Sequence, residues 1–230
     1  MSAAGKPSRA AASKSAPRVL LTGFEAFEGA AVNPSQAIVE RLDGRRIAGR
    51  RIVGATLPVA FARTEPRLRE LLERHRPDLV IALGQAGGRA ELSFERVAIN
   101  LLDARIADND GAQPVDRPVI AGAPAAYFST LPVKAIVADL HARGIPAALS
   151  LSAGSYVCNQ VFFVLAHLLA TRQPATRGGF VHVPWLPVQT AGRPGQPSMA
   201  LETMVDGVAA AIACAVATRE DLRIAGGSTH

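Results

Sequence analysis

Cysteine, aromatic residues and long apolar runs are all scarce in this chain of 230 residues, which has two Cys, one Trp and 5% aromatic residues. Two thiols, Cys158 and Cys214, are too few for the cross-linked scaffold of a secreted domain, so a reducing, cytoplasmic setting is expected. Scarce aromatics leave no obvious stacking platform for single-stranded nucleic acid. No apolar run reaches the length of a signal peptide or a transmembrane helix, so neither secretion nor a membrane partner is expected. The histidines, at 75, 141, 167, 182 and 230, never fall at paired ligand spacing, and no metal or other cofactor is expected.

The net charge of +6 and pI near 10.1 would fit a nucleic-acid partner if the charge were clustered. Its distribution argues against one. Lys6, Arg9, Lys14 and Arg18 load the N-terminal end with positive charge, and most other Arg are interleaved with Glu or Asp. Residues 1–17, with Ala, Ser, Lys and Arg but no acid, have the composition of a transit peptide or of a disordered basic tail; the absence of an amphipathic pattern favours the tail.

The remainder alternates between apolar strands and amphipathic helices. Arg18 to Thr22 reads as a buried strand, and Asn33-Pro34-Ser35 as a helix start, with Asn33 capping and Pro34 in the first position. A strand is expected near 51–57, a helix at 64–74 and a buried strand at 79–83. Later come a helix at 131–143, a strand at 147–151, a helix from 158 to 171, a strand at 179–183 and a helix at 199–218. This order predicts one α/β domain over 18–218, followed by a C-terminal tail at 219–230. The expected architecture is a three-layer α/β/α fold with a mostly parallel, twisted mixed sheet. Residues 89–123, irregular apart from a strand-like stretch at 94–99, break the alternation, which is uncommon unless such a segment is functional.

Three residues stand out chemically. Cys158 follows an apolar strand and starts a helix, where unpaired N–H groups favour a thiolate and can receive an oxyanion. By itself, a lone Cys among apolar residues is more often a small core residue. His182 lies near the carboxyl end of another strand, where α/β sheets place their sites, although a core histidine would look the same. Glu95 interrupts a strand-like run and can orient an imidazole or simply pair with Arg96 at the surface.

Longer motifs separate these alternatives. Leu21-Thr22-Gly23-Phe24, Asn33-Pro34-Ser35, Gly84 through Arg89, Glu95 through Asn100, Asp103-Ala104-Arg105, Gly122 through Pro132, Val157-Cys158-Asn159 and Arg177 through Pro184 occur in one order along the chain. With these motifs the sequence resembles the pyroglutamyl-peptidase I family of cysteine peptidases from about Val19 to Met199. The resemblance implies Cys158 as nucleophile, His182 as general base and acid, and Glu95 as the group orienting His182. It also implies a phosphorylase/hydrolase-like fold and a lactam held against Phe24 and Phe27. Polar contacts near Gln85 and Val157, electrostatic support from Arg89 and assembly into a homo-oligomer, a dimer or tetramer, follow from the same likeness. The implied partners are pyroglutamyl peptides.

Departures from the family's pattern are Ser155-Tyr156 for Thr-Phe, Gln160 for His, an acidic first loop with Glu25 and Glu28, and Val188 for Glu. None replaces a triad residue. Two other activities fit the fold: a phosphorylase-like transferase, with an anion near Gly84, and a lactam-binding protein without turnover. The glycines of 84–89 match neither a dinucleotide loop nor a Walker loop, and Ser155 misses the nucleophile-elbow spacing.

Overall fold

A computed structural model describes residues 17–227; apart from Pro17, the expected basic tail lies outside them, as do residues 228–230. Nine strands and six helices follow in order. They are β1 (Arg18–Phe24), α1 (Pro34–Leu42), β2 (Arg46–Ile47), β3 (Arg50–Leu57), α2 (Phe61–His75), β4 (Leu79–Gln85), β5 (Leu92–Glu95) and β6 (Val97–Ile99). Then come β7 (Ala126–Phe128), α3 (Val133–Ala142), β8 (Ala147–Ser150), α4 (Val157–Arg172), β9 (Arg177–Val183), α5 (Pro187–Thr190) and α6 (Leu201–Ala217).

Seven strands form one sheet in the order β2-β3-β1-β4-β9-β5-β8. Pairings are parallel except β2 with β3 and β5 with β9, giving the mostly parallel mixed sheet expected from the alternation. The central strands β1, β4 and β9 are covered on both faces, which explains why they read as continuous apolar runs. Val19, Leu21, Ile81, Leu83 and Val181 pack on the side of α1, α3 and α6. Leu20, Val80, Ala82 and Phe180 pack on the side of α2 and α4. These are the two outer layers of the α/β/α sandwich. Among the described residues, no helix is long and apolar enough to cross a membrane.

Local signals act as expected at α1, where the Asn33 side chain accepts the Ser35 N–H at 3.0 Å and Pro34 occupies the first turn. Elsewhere distant residues take over. Helix α2 starts at Phe61, before the expected Thr64, because the Asp108 carboxylate accepts the Phe61 N–H at 2.7 Å and does the capping that Ala60 cannot. The strand-like stretch 94–99 is two strands. At Arg96 the backbone turns, donating to Ser150 O at 2.8 Å and accepting from Ser129 N at 2.9 Å, so that β6 leaves the large sheet to pair with β7.

The C-terminal segment is docked as far as it is described. Asp221 caps α3 by accepting the N–H groups of Lys134 and Ala135 at 3.1 and 2.9 Å. The Lys134 ammonium donates to Ile224 O. Residues 219–227 are largely exposed and are tied to α3 by these hydrogen bonds.

Candidate active site

Strand register brings the chemistry together. In the parallel pair β4–β9, Gly84 lies opposite His182, so both face the α2 and α4 layer, like Ala82 and Phe180 before them. Because β5 runs antiparallel to β9, Ser93 lies opposite His182 and Glu95 opposite Phe180. Glu95 thus shares the face of His182, one diagonal step away.

The Glu95 carboxylate has 0% exposure. Its Oε1 accepts from His182 Nδ1 at 2.7 Å and from Arg89 Nη1 at 2.8 Å. Arg96 is not the partner that sequence proximity offered. Arg89 reaches Glu95 from the segment between β4 and β5 and also contacts Ser150 Oγ and Ser152 O at the end of β8, at 3.4 and 3.3 Å. Below the imidazole, the Phe180 ring makes an edge contact at 4.9 Å between centroids, fixing the imidazole from a second side.

Cys158 is the second residue of α4, and no side chain of Tyr156 caps that helix start. Its Sγ sits over Gly84: a Cβ built there would lie 2.7 Å from Sγ and 2.7 Å from Phe180 Cζ. Only glycine lets the thiol descend to the sheet surface beside the His182 strand. Asn159, fully buried, locks this approach by accepting from Ile99 N at 3.0 Å and donating to Ile99 O and Leu101 O.

Burial and the Glu95 charge push the Cys158 thiol up to about 12, against a smaller opposing effect from Arg89. This shift runs against the effect of the helix start, which by itself favours a thiolate: desolvation outweighs it. Burial lowers His182 below its ordinary value despite the Glu95 carboxylate beside it. Both shifts favour the uncharged forms, a thiol and a neutral imidazole.

Cys158 helps to line a small cavity together with Phe24, Phe27, Asn33, Val59, Gln85, Tyr156 and Val157. None of these eight residues carries a formal charge at neutral pH. Two amides, from Asn33 and Gln85, are set among aromatic and aliphatic walls.

Known proteins share this chain's sequence and architecture. A family model described as Pyroglutamyl peptidase matches residues 17–218. The pyrrolidone-carboxylate peptidase of Cupriavidus taiwanensis is 56% identical over 216 residues, covering 93% of this chain and 100% of that protein. The crystal structure of pyroglutamyl peptidase I from Bacillus amyloliquefaciens superposes with a TM-score of 0.89 at 42% identity, covering 91% of this chain and 100% of that one. The pyrrolidone carboxyl peptidase of Thermococcus litoralis also gives 0.89, at 38% identity over 91% of this chain and 99% of that one.

The chain belongs to the pyroglutamyl peptidase family.

Within this family frame, four of the expected substrate contacts, Phe24, Phe27, Gln85 and Val157, meet around Cys158. Arg89 does not line that cavity; it supports Glu95. The sequence marks Asn33 only as a helix cap and Tyr156 only as a departure from the family pattern, and gives no sign of Val59. Nor does it mark Gln189, whose Nε2 donates to Gln85 Oε1 at 2.8 Å and whose Oε1 accepts the Leu186 N–H at 2.9 Å. Of the departures, Gln160 ties α4 to α2 through Phe61 O at 2.9 Å, and Glu25 braces the first loop by accepting Val59 N and Asn109 Nδ2. Both are scaffold contacts. Residues 89–123 take part as well, since Tyr156 Oη donates to Ala107 O at 3.0 Å and Ser155 Oγ to Asp103 O at 2.7 Å. Cys214 packs against the α6 side of the core.

Proposed function

We propose that this chain hydrolyses the bond following an N-terminal pyroglutamyl residue of peptides, with Cys158 as nucleophile, His182 as base and acid, and Glu95 holding His182. The observation that carries this reading is the uncharged cavity that Cys158 helps to line. A lactam ring is flat and uncharged, so it can pack between Phe24, Phe27 and Val157 while the Asn33 and Gln85 amides face its N–H and C=O. A free α-ammonium, as in a prolyl peptide, would enter without a counter-charge, which disfavours it.

Glu95 accepts a hydrogen bond from His182 Nδ1–H and leaves Nε2 as the base. The imidazole removes the thiol proton as sulfur bonds to the pyroglutamyl carbonyl carbon. The tetrahedral oxyanion is received by N–H groups at the start of α4. Collapse breaks the carbon–nitrogen bond, and the departing amine takes the proton from His182. Water then gives a proton to His182 as its oxygen bonds to the acyl carbon; the sulfur leaves, regains the proton, and pyroglutamic acid is released.

This reading treats 18–218 as the catalytic domain of a cytoplasmic homo-oligomer acting on pyroglutamyl peptides. The two free thiols support a reducing compartment. Light scattering of the purified chain tests the assembly. Release of a fluorogenic amine from its pyroglutamyl conjugate, in reducing and phosphate-free buffer, tests the activity. Selective release relative to the prolyl conjugate is expected, and a requirement for phosphate would instead point to transfer chemistry.

A further inference from the structure

Phe27 and Gln85 each have a second side. One side closes the Cys158 cavity; the other walls a groove of about 480 Å³ between the first loop and the segment after β9. Val32 and Val188 line this groove and are 40% and 73% exposed, apolar surface that a soluble protein ordinarily groups only where something binds. At the far side, Trp185 lies across Gly87 so closely that a Cβ there would come within 2.1 Å of the ring. Arg193 stacks over Trp185 at 5.2 Å, covering part of its face. Gln189 braces the floor by donating to Gln85 Oε1 at 2.8 Å and to Val32 O at 3.3 Å, which joins both loops to the end of β4.

With the lactam in the small cavity, the exocyclic carbonyl carbon of the scissile bond comes to Cys158 Sγ, and the rest of the peptide must leave through space continuous with that cavity. The groove shares two of the cavity's walls. Resting on the peptidase reading above, we propose that this groove receives the residue following pyroglutamate and selects a bulky apolar or aromatic side chain over a small or acidic one. Val32, Val188 and the uncovered part of Trp185 supply the packing surface. Glu28 and Arg193 both line the groove, so their charges offset, and an acidic side chain is disfavoured because it would lose water against apolar walls.

One side chain packed or lost in an apolar site is worth about 10- to 200-fold in specificity. The test compares kcat/KM for the amides of pyroglutamyl-phenylalanine, pyroglutamyl-alanine and pyroglutamyl-glutamate in the wild-type chain and in Val188→Glu and Trp185→Ala. The wild type is expected to favour phenylalanine over alanine by roughly 10-fold or more, with glutamate poorest. Both variants are expected to reduce the phenylalanine-to-alanine ratio at least roughly fivefold, a ratio that a general loss of fold or chemistry cancels. A wild-type ratio near one, or a ratio unmoved in both variants, overturns the groove assignment while leaving the peptidase reading intact. Failure of folded wild-type protein to cleave even the alanine substrate overturns both.

Discussion

Glu95 Oε1 lies 2.7 Å from His182 Nδ1, and the two side chains are 0% and 5% exposed, so this hydrogen bond is made in a nearly dry setting. A carboxylate there accepts only, which fixes the tautomer with Nε2 free. Glu95→Gln retains the shape but can present its N–H to the imidazole. A fall in kcat of about 10²- to 10⁴-fold is expected with near-native circular dichroism, by analogy with removal of the orienting acid from other triads. Wild-type kcat in the variant would remove Glu95 from the mechanism.

Arg89 opposes proton binding by His182 and proton retention by Cys158, because its charge lowers both groups. In Arg89→Met, the His182 value rises and the acid limb of the kcat/KM profile moves to higher pH. The rate at neutral pH is expected to fall roughly 10-fold, since electrostatic support of this kind acts through charged intermediates. A pH–rate profile with the same acid limb would reduce Arg89 to a surface ion pair.

The two titrating groups of the site act on stability with opposite signs. The Cys158 thiol is raised from 9 to about 12, so its contribution is complete below pH 9 and is lost as pH rises toward the folded value. His182 is lowered from 6.5, so its contribution is complete above pH 6.5 and is lost as pH falls through its folded value. Cys158→Ala is therefore expected to lose less Tm than the wild type between pH 8 and about pH 10. In the substrate-free protein, alkylation of Cys158 by iodoacetamide should keep rising above pH 9, past the range of an ordinary thiol. A plateau near neutral pH, read by mass spectrometry of the Cys158 peptide, would indicate a resting thiolate instead.

Gly84→Ala forces a methyl group to within 2.7 Å of both Cys158 Sγ and Phe180 Cζ. Phe180 is fully buried and also touches His182, so relief by moving the ring displaces the base. A loss of about 1–3 kcal/mol in stability is expected from overpacking. The loss in kcat is expected to exceed the change in KM, because the thiol and the base are displaced more than the lactam walls. Equal kcat with a raised KM would contradict this placement.

Much of the site was legible because strands announce themselves by apolar runs and their carboxyl ends are few. Cys158 after β8 and His182 in β9 were located that way, and Asn33-Pro34 marked α1 through local capping. Glu95 was different. With Arg96 beside it, the local pattern read equally as a surface ion pair, and only the antiparallel insertion of β5 between β9 and β8 turns its carboxylate toward His182. The family motifs supplied what periodicity could not. The start of α2 escaped because its cap comes from Asp108, 47 residues away. Gln189 and Trp185 escaped because their roles depend on where the chain returns after β9, and no local periodicity encodes that return.

The most direct test is acid quenching during turnover of a pyroglutamyl substrate, followed by mass spectrometry of the Cys158 and Cys214 peptides. The account predicts one pyroglutamyl group as a thioester on Cys158, none on Cys214, and neither adduct nor turnover in Cys158→Ala. Turnover that persists in Cys158→Ala, or an acyl group carried elsewhere, would contradict it.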